Sequence, residues 1–172
     1  MSNWIKAINP TGAITTEAEA VTAARASALA IFLGVVLGIV AVAMMMNGGM
    51  AAIEAAATAA AGDNPQAASM TGAIVQGAFY MAIAMVVIQL ILGLVQWFKP
   101  NVVIPILFLV LVVYGLGTSA LGLTVDQSNV PQTAANAPVM IALNLVVLLV
   151  QLILHIAGVR GASALSKLRK AN

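Results

Sequence analysis

Cysteine is absent from the 172 residues. That removes disulfides, thiolate nucleophiles and cysteine-based zinc or iron–sulfur ligation. Charge is almost as scarce: only 7% of residues are Asp, Glu, Lys or Arg, against about a quarter in soluble domains. None of these lies in the long apolar runs at 27–46, 73–96, 102–123 and 138–159. Proton- and ion-coupled pathways ordinarily need an intramembrane carboxylate, so its absence argues against a pump. There is one histidine, His155. No Ser–His–acid constellation, Walker loop, dinucleotide fingerprint or HExxH is present, which argues against an enzyme. Nor is there a basic stripe interleaved with aromatics, so no nucleic-acid partner is indicated.

What the chain does have is apolar length. Hydrophobic residues make up 62% of it. Each run is long enough to cross the ~30 Å hydrocarbon core at ~1.5 Å per residue. The charges then order the runs. Lys6 and Arg25 precede the first, Lys99 separates the second from the third, and Arg160, Lys167, Arg169 and Lys170 follow the fourth. The other two connections carry only Glu54, Asp63 and Asp126. This positive-inside arrangement predicts an all-α, polytopic membrane protein: a four-transmembrane-helix bundle with N and C termini inside. A bacterial cytoplasmic membrane is the expected location.

The chain reads as a single membrane domain, 1–172. Residues 1–26 form an inner-side interfacial and cap segment, in which Thr16 and Glu19 have the spacing of a capping box. The first span is 27–46, starting too late and with too acidic a flank for a cleaved signal peptide. An outer loop, 47–72, contains an Ala-rich helix at 50–61, stopped by Gly62 and Pro65. The second span is 73–96, with Ser69 or Thr71 as its cap. An inner turn at 97–101 is short enough to make its flanking helices antiparallel neighbours. The third span is 102–123, an outer loop covers 124–137, the fourth span is 138–159 with Pro138 in its first turn, and a basic inner tail fills 160–172. Gln89-Leu90-Ile91-Leu92 recurs as Gln151-Leu152-Ile153-Leu154, a hint of internal duplication.

Polar side chains inside spans carry the functional signal. Asn144, Gln151 and His155 share one face of the fourth span by their spacing, and Gln89 and Gln96 share one face of the second. Such a seam can be interhelical glue or the lining of a path for a neutral solute. His155 could also give one axial ligand to a haem or a chlorophyll-type tetrapyrrole. In the first span Ala26, Ala30, Gly34 and Gly38 recur every four residues. A small-residue face of this kind suits contact with another subunit or with another helix of the same chain. Trp97, Lys99, Arg160, Lys167, Arg169 and Lys170 are placed for the lipid headgroups. The expected partners are the bilayer and other membrane subunits, or further copies of this chain. No cofactor is required by these residues. The leading expectation is a non-enzymatic membrane accessory or structural subunit, with a small channel or transporter and a tetrapyrrole-binding subunit of an electron-transfer or photosynthetic complex as alternatives.

Overall fold

A computed structural model of the chain describes residues 4–9, 11–62, 65–124 and 138–171. Among them there are only helices: α1 (Trp4–Ile8), α2 (Glu17–Met44), α3 (Met50–Ala61), α4 (Pro65–Phe98), α5 (Val103–Thr124) and α6 (Pro138–Ala171). Four helical stretches are long and apolar enough to span a membrane, with mean hydropathies of 2.8, 2.5, 2.2 and 2.3. The chain is a multi-pass, all-α membrane protein.

The capping box forms as its spacing predicts. The Glu19 N–H donates to Thr16 Oγ1 at 3.2 Å, and the Thr16 N–H donates back to Glu19 Oε2 at 3.3 Å. α2 therefore starts ahead of the apolar run and continues through it. It gives way to a wide π-type turn at Met45–Gly49, broken at Asn47 and at Gly48, whose φ is +99°. Gly48 meets that backbone demand because it lacks a Cβ. α3 occupies the Ala-rich stretch, and Gly62, also at positive φ, ends it.

Helix boundaries differ from expectation in two places. α4 begins at Pro65 rather than near 73, so the end of the expected outer loop is helical. Pro is tolerated in a first helical turn, where its missing N–H costs least. Ser69 is consequently inside α4 and donates its hydroxyl to Gln66 O rather than capping the helix. Likewise, the expected basic tail at 160–172 is no separate segment, because α6 runs through it to Ala171. Charge alone does not stop a helix, and no proline follows Arg160. At 34 residues, α6 is ~51 Å long, well beyond the ~30 Å core. Most of the loop at 124–137 lies outside the described residues, as do Asp63 and Asp126.

The chain forms two compact units: residues 1–32 with 91–172, and residues 33–90. In the first, the early part of α2 is enclosed. Ala20, Ala23, Ala24, Ala26, Ala28 and Ala30 are all fully buried, as is Ser27. Burial at such closely spaced positions encircles most of the helix. α6 meets it through glycine. A Cβ on Gly158 would lie 2.3 Å from Ser27 Cβ, and one on Gly161 only 2.3 Å from the Ala24 nitrogen. Beside this contact Ile31, Ile104, Phe108 and Leu92 form an apolar cluster, which joins the end of α4 to the start of α5 as antiparallel neighbours. In the second unit, Gly38 faces Val86 so closely that an added Cβ would sit 2.6 Å from its methyl. Gly72 lies beside the Glu54 carboxylate of α3.

These glycines predict a sharp contrast. Gly161→Ala places a methyl into α2 backbone, and overpacking of this kind costs about 1–3 kcal/mol. Gly77→Ala in α4 meets nothing within 4 Å and should stabilise by up to ~1 kcal/mol through helix propensity. Thermal unfolding in detergent should separate the two variants on opposite sides of wild type.

Candidate functional site

Polar side chains inside the first unit converge on α2. Gln96, near the end of α4, is fully buried. Its Nε2 donates to the Ala24 carbonyl at 3.2 Å, and its Oε1 accepts the Asn101 N–H at 3.3 Å. Asn101 in turn accepts the Ile104 N–H at 3.0 Å, which satisfies an orphan donor at the start of α5. Gln151 on α6 donates to the Ala30 carbonyl at 3.2 Å. One turn on, His155 is 1% exposed. Its Nδ1 shares a 2.7 Å hydrogen bond with Ser27 Oγ, and its ring stacks on Phe108 with centroids 5.6 Å apart and planes at 15°.

The five residues expected to form a seam thus divide. Gln96, Gln151 and His155 come together around α2. Asn144 is exposed and donates to Ser119 Oγ on α5 at 3.1 Å. Gln89 belongs to the other unit. The two Gln-Leu-Ile-Leu copies therefore differ in role, since it is Gln96 and not Gln89 that matches Gln151 in reaching an α2 carbonyl. Of the four-residue small face, Ala26 and Ala30 are buried in the first unit and Gly38 packs on Val86. Gly34 is half-buried.

Three residues expected at the headgroups also make protein contacts. The Arg25 guanidinium lies 5.1 Å from the Trp97 ring centroid, while its Nε donates to the Trp97 carbonyl at 3.2 Å. It thereby satisfies a carbonyl in the last turn of α4, where intrahelical donors run out. Arg160 donates from Nη1 to Asn9 O at 2.9 Å and from Nη2 to Gly12 O at 2.6 Å. Arg169 pairs with Glu17 at 2.8 Å, and Lys6 with Glu19 at 2.6 Å. These contacts fasten the segment before α2 to α6. Lys99, Lys167 and Lys170 are exposed.

Sequence reasoning missed Ser27, Ala24, Gly158 and Gly161. The partners of Gln96 and Gln151 are main-chain carbonyls, which no side-chain pattern reveals. Gly158 and Gly161 were readable as a small pair on one helical face next to His155. Among the described residues no group of three His, Cys, Asp or Glu gathers to hold a metal ion. Compared with family models, curated proteins and solved structures, the chain matches none.

Two outcomes follow. Ser27→Ala leaves His155 without its buried partner and should destabilise by about 1–3 kcal/mol, whereas replacing both, Ser27→Ala with His155→Phe, should recover part of that loss; a double-mutant cycle on unfolding measures the difference. The second outcome concerns Glu19, on the part of α2 that precedes the apolar run. Lys6 chiefly, with the Thr15 donors, lowers its carboxyl from 4.5 to about 2. A carboxyl lowered on folding contributes stability above its unfolded pKa and loses it as pH falls through the folded one. Wild type should therefore shed this contribution between pH 4.5 and about 2, and Glu19→Gln should show no loss in that window when unfolding is followed against pH.

Proposed function

We propose that this chain is a non-enzymatic subunit of a membrane assembly, packing through its uncovered helix faces against other membrane subunits or a second copy of itself. The basic end then faces the cytoplasm of a bacterial inner membrane, as the positive-inside rule requires.

The observation that carries the reading is Tyr114. It is 71% exposed on α5, and among the described residues its hydroxyl has no partner. It stands about eleven residues from Val103, ~17 Å along the helix, near the middle of a ~30 Å core. Hydrocarbon offers this hydroxyl nothing, and an unmet hydroxyl in an apolar medium costs several kcal/mol on water-to-cyclohexane scales. A neighbouring helix removes the cost. The surroundings suit one: Val110, Gly117 and Leu121 are exposed along the same stripe as Tyr114, spaced three or four apart as interhelical contacts are. A Cβ at Gly117 would meet nothing within 4 Å, so a second backbone can approach there.

The buried polar groups support a structural role over a conducting one. Gln96, Gln151 and His155 are each hydrogen-bonded to α2, and Gln96 also to Asn101. His155 is 1% exposed, so a tetrapyrrole would have to open the packing around it to reach its Nε2.

In mild detergent, native mass measurement should find more than one chain per particle, or this chain with other subunits. Gly117→Leu should break the association. Tyr114→Phe should weaken it about threefold, the scale of one membrane hydrogen bond at ~0.6 kcal/mol. A strictly monomeric, partnerless wild-type particle sinks the proposal. Orientation is tested separately, and the absence of cysteine makes it simple. A thiol probe that does not cross membranes should label Thr58→Cys in spheroplasts and Ser166→Cys only in inverted vesicles.

A further inference from the structure

The first unit holds a cleft of about 700 Å³ between the α4–α5 connection and the last turns of α6. That volume lies within the ~300–1,000 Å³ of small-ligand sites. Its walls are of two kinds. Val102 and Leu165 supply apolar surface, while Lys167, Arg169 and Lys170 supply positive charge. Arg169 is engaged with Glu17 through Nε, which leaves its terminal nitrogens as donors. Lys167 and Lys170 make no ion pair among the described residues. The local field is therefore strongly and asymmetrically positive.

We propose that this cleft binds the phosphate headgroup of an anionic phospholipid, with the lysines and Arg169 on the phosphate and the glycerol against Val102 and Leu165. Two observations favour a lipid over a free phosphate. The walls of the cleft include Pro100, Val102, Ala162 and Leu165, apolar surface that a wholly hydrophilic ion would leave unused. Its apolar side also continues along α5, where Val103, Ile106 and Leu107 are exposed. Acyl chains attached to the headgroup would run down this surface into the hydrocarbon. The site also lies where apolar α5 begins and α6 turns basic, the level at which headgroups sit. The inference depends on the chain being in a membrane and not on what covers Tyr114.

The test uses the full chain, purified in mild detergent and offered phosphatidylglycerol and phosphatidylcholine in equal amounts, with retained lipid read by native mass spectrometry. Phosphatidylglycerol should be retained over phosphatidylcholine. Lys167→Gln with Lys170→Gln should reduce its retention by roughly 25-fold, at about fivefold per charge. Ser166→Trp, which keeps every charge but fills a cleft-lining position, should reduce it as well, while Lys6→Gln outside the cleft should not. Circular dichroism confirms that each variant remains helical. Equal retention of the two lipids overturns the proposal. So does unchanged retention in the lysine pair or in Ser166→Trp, or a loss in Lys6→Gln as large as in the lysine pair. Displacement by glycerol 3-phosphate as readily as by the lipid assigns the site to a free phosphate and also overturns it. The same spectra count chains per particle, so a failure of the subunit reading is seen independently.

Discussion

The contact between α2 and α6 is the constraint on which the rest of the first unit depends. It is closer than side chains ordinarily permit, because Gly158 and Gly161 remove the Cβ atoms that would strike Ser27 and Ala24. In lipid there is no hydrophobic force drawing one apolar helix to another, and association rests on close packing and on hydrogen bonds. Small residues serve both. They bring backbones together for dispersion contacts, and they expose carbonyls that longer side chains would screen. Gln96 and Gln151 reach the Ala24 and Ala30 carbonyls from different helices because alanine leaves those oxygens open. The Ser27–His155 bond depends on the same approach, being formed by Ser27, which faces Gly158, and by His155, three residues before that glycine.

This contact also explains why the positive end is ordered by protein groups rather than left to lipid. Once α6 lies on α2 and continues as helix to Ala171, Arg160 reaches the carbonyls of Asn9 and Gly12, and Arg169 reaches Glu17. Glu19 holds Lys6 while completing the capping box. The acidic residues that dilute the positive charge before the first span are thus each matched to a base. Arg25 satisfies the Trp97 carbonyl and covers the indole. Lys167 and Lys170, which are not paired within the described chain, stand apart from this network and face the cleft.

Much of the fold was legible because membrane crossing writes itself in length and charge. The four apolar stretches, the Ala-rich α3, the Thr16–Glu19 box and Pro138 at the start of α6 all follow from local rules. Helix ends were less legible where no local stop existed. Arg160 to Lys170 is chemically a tail but conformationally a helix. Pro65 permits a helix to start earlier than hydropathy alone suggests. The site was half legible. Gln96, Gln151 and His155 announce themselves as polar residues in apolar surroundings, but their common target, the backbone of α2, has no sequence signature. The repeat of Ala26, Ala30, Gly34 and Gly38 drew attention to α2, although the tightest contact lies on Ala23, Ala24 and Ser27, set by glycines on the other helix.

The distribution of polar groups separates what this chain supplies for itself from what it requires of its surroundings. Where helices are joined by carbonyl and histidine bonds, the polar atoms are matched internally. The later part of α2, from Val36 to Met44, exposes Val, Ile, Leu and Met, and hydrocarbon is an adequate solvent for these. In the apolar stretch of α4 only 6% of residues are buried and in that of α5 22%, so most of their side chains can meet lipid without cost. Tyr114 does not fit this division. Its ring suits lipid, its hydroxyl does not, and its depth keeps it from the headgroups, where tyrosine is normally at home. Facing outward at this depth beside the open Gly117, it is the group that the proposed helix contact would satisfy.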